Sequence, residues 1–223
     1  DVVNRFRIMV KQTVGLKKIK VGHTGTLDPK ATGLLLLCTG RATKQIEQLM
    51  LDRKEYVATL KFGATTPSFD LEHPEDAHYP YEHITQGMLE EALREFLGTT
   101  LQVPPIFSAV SVGGKRAYDL ARKGKDCQLE GKPITIHELE VVSFELPYAT
   151  LRISCGKGTY IRSLARDLGE KLQSGAYLTS LRRTQLGSVR VEDSLTLAEL
   201  PDFLAHAELN EEGFDPIVPP TSK

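Results

Sequence analysis

Residues 22–35 read Gly-His-Thr-Gly-Thr-Leu-Asp-Pro-Lys-Ala-Thr-Gly-Leu-Leu, a stretch rich in glycine and hydroxyl groups with one aspartate at its centre. A glycine-rich loop can bind phosphate through backbone N–H groups, but this spacing matches neither G-x-x-x-x-G-K-[S/T] nor G-x-G-x-x-G. Pro29 favours an extended backbone at the residue before it, which would let Asp28 project a carboxylate into a cleft. The same spacing suits an ordinary turn in which Asp28 caps a following helix. The loop alone leaves both interpretations open.

Three further segments combine basic and aromatic residues where elements are predicted to begin or end. They are Lys54-Glu55-Tyr56, Gly156-Lys157-Gly158-Thr159-Tyr160-Ile161-Arg162 and Leu181-Arg182-Arg183. In the second segment a strand gives way to a helix, and the N–H groups of a first helical turn favour anions. Each segment also has a plain structural interpretation: a core tyrosine in a sheet, a routine helix start, and solvated surface arginines. The residue types alone do not choose between these interpretations.

Hydrophobic periodicity predicts a mixed set of elements. Helices are predicted at 2–10, at 43–51, from an N-cap at Thr85 to Gly98, at 117–123, at 159–172 and from Thr196. Strands are predicted at 55–63, 134–146, 149–155 and within 177–191, whereas 65–83 is predicted to be a loop or a lobe boundary. These elements do not alternate as βαβ units would. The predicted fold is therefore α+β, with a mixed, largely antiparallel central sheet and surrounding helices.

The composition is that of an ordinary globular protein, with 40% hydrophobic and 26% charged residues among 223. The longest apolar run, from Leu34 to Cys38, is far shorter than the roughly 20 residues of a membrane helix, which predicts no membrane insertion. The three cysteines form no C-x-x-C pair. This argues against a disulfide framework and a zinc site, and it predicts a reducing compartment, the cytoplasm.

Other candidate chemistry is weak. The histidines at 73, 78 and 83 recur at intervals that fit no zinc motif, so they are predicted to lie at the surface. Ser108 and Ser111 have no histidine close in sequence, which gives a serine-based triad little support.

A net charge of −1 conceals alternating basic and acidic blocks. Residues 1–70 hold twelve Lys or Arg against six Asp or Glu, and residues 151–190 hold eight against two. Residues 71–100 hold one against seven, and residues 191–223 hold one against eight. A fold that brings the basic blocks together would present a positive face suited to a polyanion, although chance clustering on solvated surfaces gives the same pattern.

Taken together, the four segments resemble the pseudouridine synthase family that modifies the uridine at position 55 in the T-arm of transfer RNA. The hallmark loop of that family, G-H-x-G-T-L-D-P-x-A-x-G-[LV]-L, matches residues 22–35 throughout. It is followed, in the order of the family, by K-x-Y at residues 54–56, K-G-T-Y-I-R at 157–162 and L-R-R at 181–183. Residues 102–126 look like the insertion with which the family grips the T-arm. The resemblance covers about residues 1–200.

The resemblance implies a domain organisation. A catalytic domain would span 1–200 with an RNA-gripping arm at about 102–126, and 201–223 would be an acidic tail without an added RNA-binding domain. The first strand of the family and its K-P-x-G-x-[ST]-S segment would lie upstream of Asp1, so the start of the domain is expected to be missing. A guide-RNA-dependent branch shares the G-T-L-D-P core, but it usually has Ser in place of Thr24 and carries the extra domain.

The resemblance also implies roles for individual residues. Asp28 would be the nucleophile or electrostatic stabiliser, and Arg162 would pair with it and keep it ionised. Tyr56 would stack on the flipped uracil and act as a base at the sugar, while His23 would fill the vacated stack. The remaining substrate contacts would come from Tyr160, Leu181, Lys157, Lys115, Arg116, Arg182 and Arg183. The implied partner is the T-arm stem-loop bound by a monomer, without a metal or cofactor.

Two other classes of function remain compatible with the sequence. A non-catalytic RNA-binding module or RNA chaperone would use the basic face without needing Asp28. A nucleotide-dependent enzyme would use the glycine-rich loop, and nucleotide would then stabilise the protein against heat.

Overall fold

The computed structural model describes residues 2–15, 17–50, 53–108, 110–112, 115–117 and 129–207. The predicted basic helix at 117–123 lies outside the described residues except for Ala117, and so do residues 208–223 of the predicted acidic tail, whose first residues are described. The helices are α1 (Val2–Val14), α2 (Ile46–Leu49), α3 (Gln86–Glu95), α4 (Ile161–Lys171) and α5 (Leu200–His206), with 3-10 turns at Gly40–Gln45 and Val191–Asp193. The predicted N-cap of α3 is confirmed, because the hydroxyl of Thr85 accepts a hydrogen bond from the backbone N–H of Met88 at 3.3 Å.

The strands fall into one large sheet and several short pairs. They are β1 (Val21–His23), β2 (Thr32–Gly33), β3 (Leu37–Thr39), β4 (Lys54–Phe62), β5 (Ala64–Thr65), β6 (Ala77–His78), β7 (Gly98–Gln102), β8 (Ser111–Val112), β9 (Lys115–Arg116), β10 (Lys132–Glu145), β11 (Tyr148–Cys155), β12 (Ala176–Leu186) and β13 (Val189–Arg190). The order in the large sheet is β13-β12-β4-β11-β10-β7, all antiparallel, and β2 lies parallel beside β12. The predicted α+β fold with a mixed, largely antiparallel sheet is confirmed.

One face of the sheet is buried under two helices. Along β4 every second side chain is buried, which is the period of a strand with one face in a core. Helices α3 and α4 cover that face with their own apolar residues, which include Leu89, Leu93, Leu164 and Leu168. Full burial of each leucine side chain contributes about 1.5–3 kcal/mol to the stability of the folded state. This packing fixes α4 against β12, and so it fixes the start of α4 relative to the rest of the sheet.

The structure differs from the prediction in several places. The predicted helix at 43–51 begins as a 3-10 turn, and only Ile46–Leu49 is α-helical. Short strands lie within and next to the glycine-rich stretch, namely β1, β2 and β3, and β7 begins at Gly98, the predicted end of α3. The segment 65–83, predicted to be a loop, pairs as β5 and β6 and buries Thr66, Ser68 and Asp70. Polar side chains that bond to nearby backbone resemble a solvated loop in sequence, although here they form a packed wall.

Candidate active site

The loop that carries Asp28 is closed by backbone hydrogen bonds between the segments that flank it. Strands β1 and β3 pair with each other, and the N–H of Thr24 donates to the carbonyl of Leu36 at 3.2 Å. The N–H of Ala31 donates to the carbonyl of Asp28 at 2.9 Å, which closes a turn through Pro29. The next element is the strand β2, so Asp28 does not cap a helix, and the capping interpretation of the sequence is wrong.

Asp28 and Arg162 form the ion pair expected from the sequence. The guanidinium donates through Nε to Oδ2 at 3.0 Å and through Nη2 to Oδ1 at 2.9 Å, a bidentate geometry. The Arg162 side chain is only 5% exposed, whereas 32% of the Asp28 side chain remains accessible. The buried arginine therefore presents a carboxylate that a ligand can still reach.

A second carboxylate, not singled out from the sequence, lies behind Arg162. Oδ2 of Asp70 is 3.6 Å from Nε of Arg162, and Nη1 of Arg162 donates to the carbonyl of Ser68 at 3.3 Å. Oδ1 of Asp70 accepts from the hydroxyl of Ser68 at 2.6 Å and from the N–H of Glu72 at 2.9 Å. One buried guanidinium thus contacts two aspartates, and of these two only Asp28 is open to solvent. The one clue in the sequence was the Ser-x-Asp spacing, which is typical of side chains that bond to local backbone.

Tyr56 is buried on β4, directly opposite Arg183 of β12. Burial raises the pKa of the Tyr56 hydroxyl, and the charge and hydrogen bond of Arg183 only partly offset that effect. The hydroxyl is therefore protonated at neutral pH. This state suits stacking and hydrogen bonding, whereas the proton abstraction inferred from the sequence requires a phenolate.

Tyr160 is the residue before α4, and Gln102 of β7 holds its backbone. The amide of Gln102 accepts from the N–H of Tyr160 at 2.8 Å and donates to its carbonyl at 3.1 Å. Burial also raises the pKa of the Tyr160 hydroxyl. The start of α4, which carries Arg162, is thereby fixed to the edge of the sheet.

A cavity of about 20 Å3 lies beside Asp28. Its lining includes Asp28, Lys30, Asp70, Leu71, Arg162 and Leu181. Leu181 therefore lines the same cavity as the ion pair, whereas His23, Tyr56 and Tyr160 are not among the lining residues. The register of β12 shifts against β4 between Leu178 and Ser180, and this irregularity borders the cavity. Such irregularities are common next to active sites.

The predicted RNA-contacting residues have different surroundings. Lys157 and Arg182 are exposed. His23 is half-buried, and its Nδ1 accepts from the N–H of Gly25 at 3.3 Å. Lys115 and Arg116 form β9, which pairs with β8. These positions leave contact with a polyanion possible.

Arg183 is the exception among these residues. Only 1% of it is exposed, and its guanidinium donates to the carbonyls of Leu34 and Gly25. The resemblance had implied that Arg183 contacts the substrate, but Arg183 is not placed to contact a phosphate. The alternation of side chains along the strand points it away from the face that carries Arg182.

Within the part of the chain that is described, no cluster of three or more His, Cys, Asp or Glu residues could hold a metal ion. Over the same residues, no helix is long and apolar enough to cross a membrane.

A largely antiparallel sheet under two helices, with an aspartate held by a buried arginine beside a small cavity, agrees with the pseudouridine synthase class, which the comparisons with known proteins establish. Residues 11–161 match the family model for the N-terminal domain of the TruB family pseudouridylate synthases. Residues 162–223 match the model for the tRNA pseudouridylate synthase B C-terminal domain. The chain belongs to the TruB family. The two matches meet at the start of α4, inside a packed element.

Close relatives extend over nearly the whole chain. The tRNA pseudouridine synthase B of Phocaeicola vulgatus is 56% identical over 210 residues, which are 94% of this chain and 89% of that protein. The protein of the same name from Bacteroides thetaiotaomicron is 53% identical over 215 residues, 95% of this chain and 90% of that one. In Chloroherpeton thalassium the identity is 44% over 201 residues, 90% of this chain and 83% of the relative.

Solved structures with the same fold are more distant. A Cbf5-Nop10-Gar1 complex matches with a TM-score of 0.63 and 28% identity over 88% of this chain. An H/ACA RNP bound to a substrate RNA containing 2'-deoxyuridine matches with a TM-score of 0.62 and 26% identity over 88% of this chain. The chain spans about half the length of these proteins, 49% and 47% respectively.

Proposed function

We propose that this protein isomerises a uridine in the T-loop of transfer RNA, at position 55, to pseudouridine. The observation that carries the proposal is the bidentate pair between Asp28 and Arg162, whose carboxylate faces a small cavity. The names of the relatives at 56% and 53% identity support transfer RNA as the substrate class.

The reaction is an internal rearrangement. The N1–C1′ bond of uridine breaks, the uracil turns over, C5 bonds to C1′, and the proton lost from C5 is balanced by one gained at N1. Asp28 supplies the carboxylate that attacks or stabilises the electron-poor fragment. The guanidinium of Arg162 holds that carboxylate in place through two hydrogen bonds and balances its negative charge.

Other side chains would hold the RNA around that carboxylate. Leu181 walls the base, Tyr56 and Tyr160 contribute neutral aromatic surfaces, and His23 fills the stack from which the base is extruded, at a cost of about a few kcal/mol. The phosphates would meet cations, because backbone contacts dominate affinity for nucleic acids. The exposed cations that we assign to these contacts include Lys17, Lys18, Lys20, Lys157 and Arg182, and the arm would add Lys115 and Arg116. The protein would act as a monomer in the cytoplasm.

The test compares wild type with Asp28→Asn on an unmodified T-arm stem-loop, and pseudouridine is mapped at single-nucleotide resolution. We expect the variant to form no pseudouridine while its affinity for the RNA stays within about tenfold of wild type, since phosphate contacts are intact. Asp193→Asn, an exposed aspartate far from α4 in sequence, is the matched control and should keep full activity. Substantial turnover by Asp28→Asn would remove the nucleophile role.

The same assay separates the alternatives. A guide-RNA-dependent enzyme would need a second RNA before it modified anything, whereas the proposed enzyme acts on the stem-loop alone. A binding module or chaperone would bind the stem-loop and leave its uridine unchanged.

A further inference from the structure

Arg183, the second arginine of the Leu-Arg-Arg segment, holds the Asp28 loop through its side chain. Nε of its guanidinium donates to the carbonyl of Leu34 at 2.8 Å, and Nη2 donates to the carbonyl of Gly25 at 3.2 Å. Leu34 and Gly25 stand on either side of Asp28 in the chain, at opposite ends of its loop. One side chain therefore fixes both ends of the segment that presents the carboxylate.

The backbone of Arg183 holds the same loop a second time. The N–H of Leu34 donates to the carbonyl of Arg183 at 2.8 Å, and Gly33 pairs with Arg183 across the parallel β2–β12 contact. Gly33 has φ +99°, and a Cβ atom there would come within 2.2 Å of that carbonyl oxygen. Loop and strand are thus as close as glycine allows.

Arg183 also reaches the tyrosine of the site. It lies opposite Tyr56 in the register of β12 and β4, and it lowers the pKa of the Tyr56 hydroxyl through its charge and a side-chain hydrogen bond. The two carbonyls that its guanidinium meets carry only partial charge. Burying a guanidinium with such partners is costly, and an apolar side chain of similar size would fill the space at less cost. The guanidinium of Arg183 therefore has a role beyond filling space, which is to hold the carbonyls of Leu34 and Gly25 in place.

We infer that Arg183 is a positioning residue, which holds both ends of the Asp28 loop and the Tyr56 hydroxyl in one rigid frame. The catalytic consequence of this frame rests on the proposed function, but the frame itself is a property of the protein alone. The adjacent residues Arg182 and Arg183 then have different roles. Arg182 faces solvent, where RNA would lie, and Arg183 faces the core.

The experiment uses Arg183→Gln and Arg183→Lys, with Arg190→Gln as the matched control, because Arg190 has a side chain 67% exposed at the end of the sheet. Rates are measured in single turnover with saturating stem-loop. We expect Arg183→Gln to slow the reaction about a hundredfold, the effect of misplacing a reacting group by about 1 Å. Arg183→Lys should slow it about tenfold, because one ammonium cannot replace a planar fork with two carbonyls. Arg190→Gln should match wild type.

Two further measurements need no RNA. Hydrogen exchange at the amide of Leu34 should accelerate in both Arg183 variants. The pKa of Tyr56, followed by NMR of labelled tyrosine and assigned with Tyr56→Phe, should rise in Arg183→Gln and remain near wild type in Arg183→Lys, since lysine keeps the charge. A loss of packing alone would not produce this ranking, in which Arg183→Gln changes both the rate and the pKa of Tyr56 more than Arg183→Lys does.

Each outcome supports or overturns the positioning role. Wild-type rate and exchange in a folded Arg183→Gln protein would overturn it, and if that variant does not fold, a wild-type rate in Arg183→Lys overturns it equally. If the wild-type protein makes no pseudouridine at all, the proposed function fails, whereas the frame is still judged by the exchange and the tyrosine pKa.

Discussion

At the scale of single residues, the position of Arg162 depends on the carboxylate behind it. Asp70 is 4% exposed and combines the contact to Arg162 with hydrogen bonds from Ser68 and Glu72. Removing one member of a buried charged network leaves the others unpaired, which is costly. The buried Asp70 thus helps to fix the arginine, whereas the side chain of Asp28 remains accessible.

We expect Asp70→Ala to lower the free energy of unfolding by about 3 kcal/mol. The substitution removes one of the two negative charges beside the buried guanidinium of Arg162, and it leaves the Ser68 hydroxyl and the Glu72 N–H without their acceptor. Urea denaturation measures this loss. Asp70→Asn, which keeps an acceptor for Ser68 and Glu72, should lose less. Equal stability of Asp70→Ala and wild type would mean that Asp28 alone compensates the arginine.

The buried thiol of Cys155 makes the free energy of unfolding depend on pH in the alkaline range. Burial raises the pKa of Cys155 from 9.0 to about 11. The folded state keeps the proton while the unfolded state loses it, so stability is full below pH about 9 and falls between about 9 and about 11. Two pKa units correspond to about 3 kcal/mol.

We therefore expect wild type to lose up to about 3 kcal/mol more than Cys155→Ala over that pH range, since the variant has no thiol to ionise. Urea denaturation at pH 8 and near pH 11 gives both values for each protein. Parallel losses in the two proteins would contradict a buried, protonated thiol.

At the scale of elements, the contact between β2 and β12 decides where the Asp28 loop lies. Gly33→Ala and Gly98→Ala form a matched pair, because both glycines have positive φ but only Gly33 faces a backbone atom where the Cβ would be. Gly98→Ala should cost only the backbone strain, about 1–2 kcal/mol. Gly33→Ala should cost more, because it must also break the β2–β12 contact, and it should abolish turnover. Thermal unfolding and the stem-loop assay measure both effects, and equal losses would refute the steric argument.

The elements that sequence predicts well are those with a strong period. The β10–β11 hairpin, the strand at 54–62 and the helix that begins near Arg162 follow from alternating or helical spacing of apolar residues. The short strands β1, β2 and β3 do not, because two or three residues carry no period. Asp70 was missed for a related reason: its partners are a nearby hydroxyl, a backbone N–H and a distant arginine.

The site was predictable only in part. Resemblance to a family pointed to Asp28 and Arg162, and their bidentate contact fits that expectation. The sequence could not predict that Arg182 is exposed and Arg183 is buried, because two identical neighbouring residues do not indicate which one faces inward. Only the register of β12 against β4 decides that.

At the scale of the whole molecule, the basic residues of the first fifty positions surround the Asp28 loop along the chain. Residues 2–50 hold nine Lys or Arg against two Asp or Glu, and Lys17, Lys18 and Lys20 are exposed immediately before β1. The carbonyl of Lys20 accepts from the N–H of Gly40, so the 3-10 turn with Arg41 and Lys44 lies at the same end of the β1–β3 pair. Phosphates on both sides of a bound uridine could meet this surface.

We expect alanine at Lys17, Lys18 and Lys20 together to weaken stem-loop binding, because these lysines would neutralise phosphates. The slope of log affinity against log salt should fall by about one for each phosphate that the protein no longer neutralises. Filter binding at a series of salt concentrations gives the slope. Arg190→Gln should leave it unchanged. The same slope in the triple variant would place the RNA elsewhere.

The cavity beside Asp28 has a consequence for how the protein distinguishes a base from a backbone. At about 20 Å3 it offers room for about one water molecule, far less than a uracil ring. We expect the ring to displace lining side chains such as Lys30 and Leu71, and the free energy of that displacement would lower the affinity for the target nucleotide. A stem-loop that lacks the base at the target position would be spared this work. It should therefore bind at least as tightly as the natural RNA, and clearly weaker binding of that stem-loop would contradict this expectation.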